Sequence, residues 1–222
     1  GTGLRSGRSS AGSEGYKGQL LVYASKGRRE MPEDFILPDG ELEFLSRDGS
    51  FLGQHVYTPL RGVAVQINAF NFPVWGMLEK LAPSLLAGVP SVIKPATSTG
   101  YVTQAVVRLM LGSGILPRGA IQLIMGGTGN LLDILDCQDT VGFTGSAATA
   151  LALRARPNIL KNGVRFTAEQ DSLNGSILGS DVAPGSVEFD LFVTEVHREM
   201  TTKAGQKCTA IRRIMVPEAH ME

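Results

Sequence analysis

Apolar and polar residues alternate in two different rhythms along the middle of the chain, from residue 61 to residue 169. Between short apolar runs, apolar residues recur at three- and four-residue steps, which is typical of amphipathic helices. Strands that alternate with helices predict an α/β fold with a mostly parallel sheet, covered by helices on both faces. The runs that predict the strands are Gly62–Ile67, Ser91–Ile93, Ile121–Met125, Thr140–Phe143 and Val164–Ala168.

The helical rhythm is clearest over Pro73–Ala87. A proline lies close to the start of this segment and Gly88 follows its end, as is common for helices. A second helix is predicted around Val102–Met110, and a short one around Leu131–Leu135.

The first third of the chain has a weaker pattern. Gly1–Glu14 is rich in Gly, Ser and Arg and lacks the apolar core of a secretory signal, so we predict a flexible leader. We expect Met31–Ser50 to be a polar surface loop, since it is polar and contains Pro and acidic residues. Phe51–Tyr57 predicts a short edge strand that could contact another subunit.

Composition excludes several classes of function. With 21 basic and 21 acidic residues the net charge is zero, which argues against a nucleic-acid partner. No apolar run approaches the length of a membrane span, so we expect no membrane partner. Cys137 and Cys208 allow at most one disulfide, and a reducing, cytoplasmic location is the simpler interpretation. The three histidines have no metal-site spacing, so no metal is expected; they are His55, His197 and His220.

Polar residues follow the predicted strands, where an open α/β sheet binds its ligands. Further along, Cys208 follows a Gly-Gln turn, as a presented thiol nucleophile would, and Glu169 is a plausible base. Cys137 has no such surroundings, and we interpret it as incidental. The polar residues at the strand ends are Asn68, Asn71, Lys94, Gly126–Gly129, Thr144–Ser146 and Glu169.

Four separated motifs resemble the aldehyde dehydrogenase superfamily, from about Phe51 to the end of the chain. The resemblance implies a Rossmann-like parallel sheet of the aldehyde dehydrogenase fold, with N- and C-terminal parts of that fold outside this chain. The motifs are Asn68-Ala69-Phe70-Asn71-Phe72-Pro73, Ile93-Lys94-Pro95-Ala96, Phe143-Thr144-Gly145-Ser146 and Gly205-Gln206-Lys207-Cys208.

The resemblance also implies a reaction, the NAD(P)-dependent oxidation of an aldehyde to a carboxylate. Cys208 would attack the aldehyde, and the Asn71 amide with the Cys208 backbone N–H would hold the oxyanion. Glu169 would activate the water that releases the thioester. This segment reads Glu-Gln-Asp-Ser-Leu-Asn here, where Glu-Leu-Gly-Gly-Lys is common elsewhere in the superfamily.

The implied cofactor site uses the same strand ends. Lys94 would hydrogen-bond the adenosine ribose, and Gly145 with Ser146 would contact the pyrophosphate; Ala69 and Phe70 would also contact the cofactor. Many NAD-specific relatives have a glutamate where this chain has Thr97. Because a carboxylate there repels a 2′-phosphate, we predict that NADP is accepted and preferred over NAD.

The resemblance divides the chain into four parts: a leader (1–14), a partial N-terminal segment with a candidate oligomerisation strand (15–60), a dinucleotide-binding domain (61–203), and the nucleophile loop with the start of a truncated catalytic domain (204–222). The motifs look most like a branch that oxidises CoA-linked semialdehydes, including a semialdehyde of phenylacetate catabolism. The resemblance also implies that the parent protein forms a homo-oligomer. We expect this fragment alone to be inactive.

Two other functions remain open. One is a CoA-acylating dehydrogenase, which Glu169 disfavours because a positioned base serves hydrolysis. The other is a truncated, non-catalytic module for NADP binding or oligomerisation, which would bind the cofactor without turnover.

Overall fold

The computed structural model describes residues 11–31 and 35–221, with side chains from residue 18 onward. Two compact units are present. The first comprises the described residues up to Thr144 together with Ala148–Ala168, and the second comprises Gly145–Ala147 together with the described residues from Glu169. The domain boundaries that we predict from the sequence stay predictions.

The first unit is built on a five-stranded sheet. Its strands are β3 (Ala64–Ile67), β4 (Ser91–Lys94), β5 (Ile121–Leu123), β6 (Thr140–Gly145) and β7 (Arg165–Gln170), in the order β5-β4-β3-β6-β7. The central strand β3 pairs in parallel with β4 and β6, so that Ile67 lies opposite both Lys94 and Phe143. The predicted parallel α/β sheet is therefore confirmed, with strand bounds that differ by one or two residues.

Helices cover this sheet: α2 (Trp75–Leu86), α3 (Gly100–Gly112), α4 (Ala147–Arg154) and α5 (Pro157–Lys161). Alternate residues of β3 and β4 point to opposite faces, and each face has its own apolar core. One core contains Val65, Ile67, Val92 and Val141, and the other contains Met77, Leu81, Ile93 and Val107. The predicted helix over Leu131–Leu135 is shorter than expected, a 3₁₀ turn at Leu131–Asp133.

A helix and a hairpin precede the sheet. The prediction of a polar loop is wrong over residues 37–44, because β1 (Leu37–Phe44) pairs antiparallel with β2 (Leu52–Tyr57). The loop signals Pro38 and Gly40 both lie within β1: Pro38 pairs with Val56, and Gly40 lies where the register with β2 shifts, between Asp39 and Glu43. Helix α1 (Ala11–Glu30) includes residues 11–14, which we predicted as part of a flexible leader; the rest of that leader, residues 1–10, lies outside the described residues.

The second unit contains a small parallel sheet of β8 (Gly175–Ile177) and β9 (Arg213–Met215), connected by α6 (Val187–Thr201). The start of α6 is specified by Ser186, whose hydroxyl accepts a hydrogen bond from the backbone N–H of Phe189 at 3.2 Å. Glu188 and Asp190 in the first turn and Arg198 in the last turn complement the helix dipole. This sheet was not predicted from the sequence.

Candidate functional site

The loop after β3, which carries Ala69, Phe70 and Asn71, is fixed to the segment that follows β4. The Asn68 N–H donates to the Lys94 carbonyl at 3.0 Å. The hydroxyl of Thr99 donates to the Phe70 carbonyl at 2.9 Å, and that of Thr103 donates to the Pro73 carbonyl at 2.8 Å. Hydrogen bonds therefore bring two of the four motifs together at the carboxyl ends of neighbouring strands.

An uncompensated amide lies at this edge of the sheet. The Asn68 side chain is 3% exposed, and neither its Oδ1 nor its Nδ2 has a hydrogen-bond partner among the described residues. Buried amide groups are normally paired with protein, water or a ligand. Lys94, half-buried at the end of β4, and the exposed Thr97, in the 3₁₀ turn Thr97–Thr99, add an ammonium and a hydroxyl nearby in the sequence. These donors and acceptors suit a polar ligand such as a ribose.

Lys80 of α2 reaches the end of β6, and sequence reasoning gave it no role. Its ammonium donates to Thr144 Oγ1 at 2.6 Å and to the Gly76 carbonyl at 3.2 Å, and it pairs with Glu79 at 3.1 Å. Gly142 makes room for this side chain, because a Cβ there would lie 3.2 Å from Lys80 Cδ. Lys80 lies in the helix predicted over Pro73–Ala87, and the helical pattern alone indicates no role for its side chain.

The segment Gly145–Ala147, which contains the predicted pyrophosphate contacts Gly145 and Ser146, is fixed by an aspartate. The Ala147 N–H donates to Asp171 Oδ2 at 3.2 Å, and the Asp171 N–H donates to the Gly145 carbonyl at 3.4 Å. Asp171 has a backbone φ of 23°, a positive value that residues other than glycine rarely adopt. The start of α4 thus has a carboxylate on its first N–H, at the position where the chain departs from the common family motif.

The predicted nucleophile lies in a loop that begins with an unusual backbone. Lys203, Ala204 and Gly205 have φ angles of 54°, 53° and 70°, so three successive residues are left-handed. Cys208 itself is exposed and forms no disulfide. The Cys208 backbone N–H donates to no acceptor in the described part of the chain, which leaves it available to an oxyanion.

Side chains from three directions hold this loop. Arg212 Nη2 donates to the Gly205 carbonyl at 2.9 Å, and Asn174 Nδ2 donates to the carbonyls of Cys208 and Ala210. Lys207 forms an ion pair of 2.6 Å with Glu199 of α6. The Lys207 hydrogen bond is the main reason why the pKa of Glu199 is lower than the usual value of a glutamate. The loop around Cys208 is therefore anchored on both sides of the thiol.

The remaining predicted residues are distributed between the units. Glu169 is exposed near the end of β7 and belongs to the same compact unit as Cys208, whereas Asn71 and Lys94 belong to the other. Cys137 is exposed, and its carbonyl accepts a hydrogen bond from Arg165 at 3.1 Å. The described residues contain no group of three or more metal-ligating side chains with a suitable arrangement. Within the same residues, every helix is too short or too polar to cross a bilayer.

Glycine turns and polar groups at the carboxyl ends of a parallel sheet define a Rossmann-like α/β protein. The glycine turn after β5 is part of this arrangement, since Gly126 and Gly129 have φ angles of 94° and 53°. The chain belongs to the aldehyde dehydrogenase family, whose model matches residues 37–222. The resemblance that the four motifs indicate is thereby confirmed.

Curated relatives that match the chain include two semialdehyde dehydrogenases. It is 54% identical over 181 residues to the 3,4-dehydroadipyl-CoA semialdehyde dehydrogenase of Aromatoleum evansii, a match that covers 82% of this chain and 35% of the relative. It is 31% identical over 159 residues to the N-succinylglutamate 5-semialdehyde dehydrogenase of Salmonella paratyphi B, covering 71% and 31%. The chain thus spans about a third of the length of these relatives.

Solved structures of aldehyde dehydrogenases have a fold similar to that of this chain. Betaine aldehyde dehydrogenase from Staphylococcus aureus, in complex with NAD⁺, superposes with a TM-score of 0.76 at 25% identity, over 94% of this chain and 38% of that one. Succinic semialdehyde dehydrogenase from Streptococcus pyogenes, in complex with NADP⁺, gives a TM-score of 0.72 over 94% and 43%; at 21% identity it is a likeness of fold alone.

Proposed function

We propose that the protein oxidises an aldehyde to a carboxylate with a nicotinamide cofactor, and that Cys208 is the nucleophile. The observation that supports this most directly is the Cys208 loop. An exposed thiol there adjoins a backbone N–H without a protein acceptor in the described part of the chain, and side chains anchor the loop on both sides. In a member of the aldehyde dehydrogenase family, this combination favours covalent catalysis.

Cys208 and Glu169 have complementary roles in this proposal. The Cys208 thiolate adds to the aldehyde carbonyl carbon, and the Cys208 N–H donates to the oxygen that becomes negative. Once the aldehyde carbon has lost its hydride, the acyl group remains on Cys208 as a thioester. Glu169 takes a proton from the water that attacks this thioester, and the carboxylate product and the free thiol result. The contribution of the Asn71 amide to the oxyanion remains a prediction from the resemblance.

Polar groups at the sheet edge support our assignment of an NAD(P) site. Asn68 offers a buried donor and acceptor, and Lys94 and Thr97 offer groups that hydrogen-bond ribose hydroxyls. From the family resemblance we also assign Gly145 and Ser146 to the pyrophosphate, and Ala69 and Phe70 to contacts with the cofactor. When bound, the nicotinamide supplies the hydride acceptor that the oxidation requires. Thr97 has no charge to repel a 2′-phosphate, which supports our proposal that NADP is preferred.

The substrate that we propose is a semialdehyde linked to coenzyme A. The relative at 54% identity is named for 3,4-dehydroadipyl-CoA semialdehyde, and its match covers most of this chain. A role in phenylacetate catabolism stays a prediction from the sequence, as does assembly into a homo-oligomer.

The test uses the full-length protein that contains this chain, with NAD⁺ or NADP⁺ and either a CoA-linked semialdehyde or a simple aldehyde. We expect reduced nicotinamide to form with the CoA-linked substrate, and to form no longer in Cys208→Ala. The matched control Cys137→Ala should retain activity. Glu169→Gln should accumulate a thioester on Cys208, detectable as an added mass on the intact protein. Cofactor binding without turnover of either aldehyde would instead favour the non-catalytic module, and release of an acyl-CoA would favour the acylating enzyme.

A further inference from the structure

Asn174 contacts the nucleophile loop through its side chain. It lies just before β8 and is half-buried. Its Nδ2 donates to the carbonyl of Cys208 and to that of Ala210, the latter at 3.1 Å. An amide nitrogen has two hydrogens, and both are used here. Since both partners are carbonyl oxygens, only the nitrogen of the amide can serve, and the side chain has one productive orientation.

The backbone of Asn174 holds the end of the same loop. Its carbonyl accepts the N–H of Arg212 at 2.9 Å and the N–H of Arg213 at 3.1 Å. These bonds lie directly before the pairing of Gly175 with Arg213, where β8 and β9 begin. One residue therefore fixes both the return of the loop into β9 and the peptide that follows the thiol.

Other contacts do not replace this one. Arg212 holds the Gly205 carbonyl and Glu199 holds Lys207, but both act before the thiol. After it, the turn is closed by the Ala210 N–H, which donates to the Lys207 carbonyl at 3.2 Å. Without the Asn174 amide, the Cys208 carbonyl would lose its side-chain partner, and the Cys208 peptides could rotate.

We infer that Asn174 is a positioning residue for Cys208. By holding the Cys208 carbonyl, it fixes the backbone from which the thiol projects. It thereby also limits the directions in which the Cys208 backbone N–H can point. The inference rests on the proposed function, because it assigns Asn174 to the orientation of that nucleophile. Small displacements of a reacting group cost large factors in rate, about a hundredfold for 1 Å.

The test uses the full-length protein with Cys137→Ser as the reference. Asn174→Asp and Asn174→Ala are each added to this reference and compared with it. The aspartate keeps the shape and the backbone bonds but faces two carbonyl oxygens with a negative oxygen. We expect kcat to fall by about tenfold to a hundredfold in both variants, while the KM for the cofactor stays within about twofold. Gln122→Glu, an amide-to-acid change at an exposed position of β5, is the matched control and should leave kcat unchanged.

A second measurement does not depend on turnover: the rate of Cys208 alkylation by iodoacetamide as a function of pH. In Asn174→Asp the added carboxylate disfavours the thiolate, so the profile should move to higher pH and the rate at neutral pH should fall about threefold or more. In Asn174→Ala, which adds no charge, the profile should keep its position. An aspartate profile that does not move would mean that the side chain at this position does not lie beside the thiol, which would contradict the inference.

The outcomes separate the two proposals. Unchanged kcat and an unchanged alkylation profile in Asn174→Asp would overturn the role of Asn174 even if the enzyme is an active dehydrogenase. Absence of turnover in the unchanged protein would count against the proposed function, and the alkylation profiles would still show whether the side chain of residue 174 lies beside the thiol. If Asn174→Asp does not fold, Asn174→Ala decides the matter through kcat, where a value equal to that of the unchanged protein would refute the inference.

Discussion

Lys80 Nζ lies 2.6 Å from Thr144 Oγ1, which connects the first turn and a half of α2 to the carboxyl end of β6. The side chain of Lys80 is only 16% exposed, and its stem lies against Gly142. A charged donor at this distance forms a strong hydrogen bond in a partly buried setting. The orientation of the Thr144 hydroxyl, directly before the predicted pyrophosphate contacts, therefore depends on a residue of the helix.

Replacing Lys80 with Met should disturb the cofactor site without creating a cavity, since Met keeps most of the stem. Loss of a hydrogen bond to a charged group costs about 1.5–3 kcal/mol, so we expect urea denaturation to show a destabilisation of about this size. Cofactor affinity should weaken about tenfold, as measured by fluorescence titration. Glu79→Gln, which leaves the Thr144 contact in place, is the control. Wild-type affinity in Lys80→Met would show that Thr144 does not need this partner.

Asp171 should reduce the affinity of the α4 N-terminus for phosphate, because its carboxylate already occupies the Ala147 N–H. Asp171→Asn retains an acceptor oxygen but removes the charge. If the pyrophosphate contacts Gly145 and Ser146, this variant should bind NADP about two- to fivefold more tightly, which corresponds to the usual 0.3–1 kcal/mol for a charge at a helix end. Calorimetric titration would measure it. Equal or weaker binding by a folded variant would argue against a pyrophosphate at this turn.

Thr97 is exposed in the turn after β4, where a new charge can be accommodated without burial. Thr97→Glu places a carboxylate where it would accept from ribose hydroxyls and repel a 2′-phosphate. We expect the ratio of kcat/KM for NADP to that for NAD to fall about tenfold or more, as a repulsion of roughly 1.4 kcal/mol would produce. Ser98→Glu, one position further along, should change this ratio little. A similar shift in both variants would indicate a general charge effect.

The ion pair of Glu199 with Lys207 should make the anchoring of the nucleophile loop dependent on pH. The pKa of Glu199 in the folded protein is below its ordinary value of 4.5, chiefly through the Lys207 hydrogen bond. The ionised form therefore stabilises the folded state; this contribution is fully present above pH 4.5 and is lost as the pH falls through the lower folded value. Melting temperatures of the unchanged protein and of Glu199→Gln should differ at pH 7 and converge as the pH falls below 4.5 and through the lower folded pKa.

Glu195→Gln is the control for this measurement, since Glu195 pairs with Arg198 on the surface of the same helix. Its melting temperature should follow that of the unchanged protein over the whole pH range, because exposed ion pairs contribute little. A difference in melting temperature between the unchanged protein and Glu199→Gln that does not shrink with falling pH would mean that the effect of Glu199 is not electrostatic.

The strands of the large sheet could be predicted because parallel strands buried on both faces are continuous apolar runs. The helix α1 could not, since its sequence contains glycines and many polar residues. The packing of α1 against α2 depends on Gly27, which is buried. The two helices approach so closely there that a Cβ on Gly27 would lie 2.3 Å from Leu86 Cδ1. In a sequence, a glycine usually indicates a loop, but Gly27 permits two helices to pack. This role depends on Leu86, which is 59 positions away and could not be inferred from the local pattern.

The same reason explains which parts of the candidate site were missed. Cys208, Lys94 and Ser146 belong to local motifs, which can be recognised in the sequence. Lys80 and Asn174 act through partners 64 and 34 residues away, and no local pattern indicates such a pairing. Their roles depend on the way in which the strands and helices assemble.

The parallel pairing of β8 with β9 has a consequence for how such sequences can change in length. The two strands and the Asn174 bonds define the ends of the nucleophile loop, while residues 178–201 form a connection that includes α6. Lengthening a connection whose ends are already fixed costs little free energy, about 0.6 kcal/mol for each doubling of a flexible loop. Insertions and deletions before α6 can therefore accumulate in related genes without displacing the thiol, and a fixed spacing between Glu169 and Cys208 is a poor criterion for aligning them.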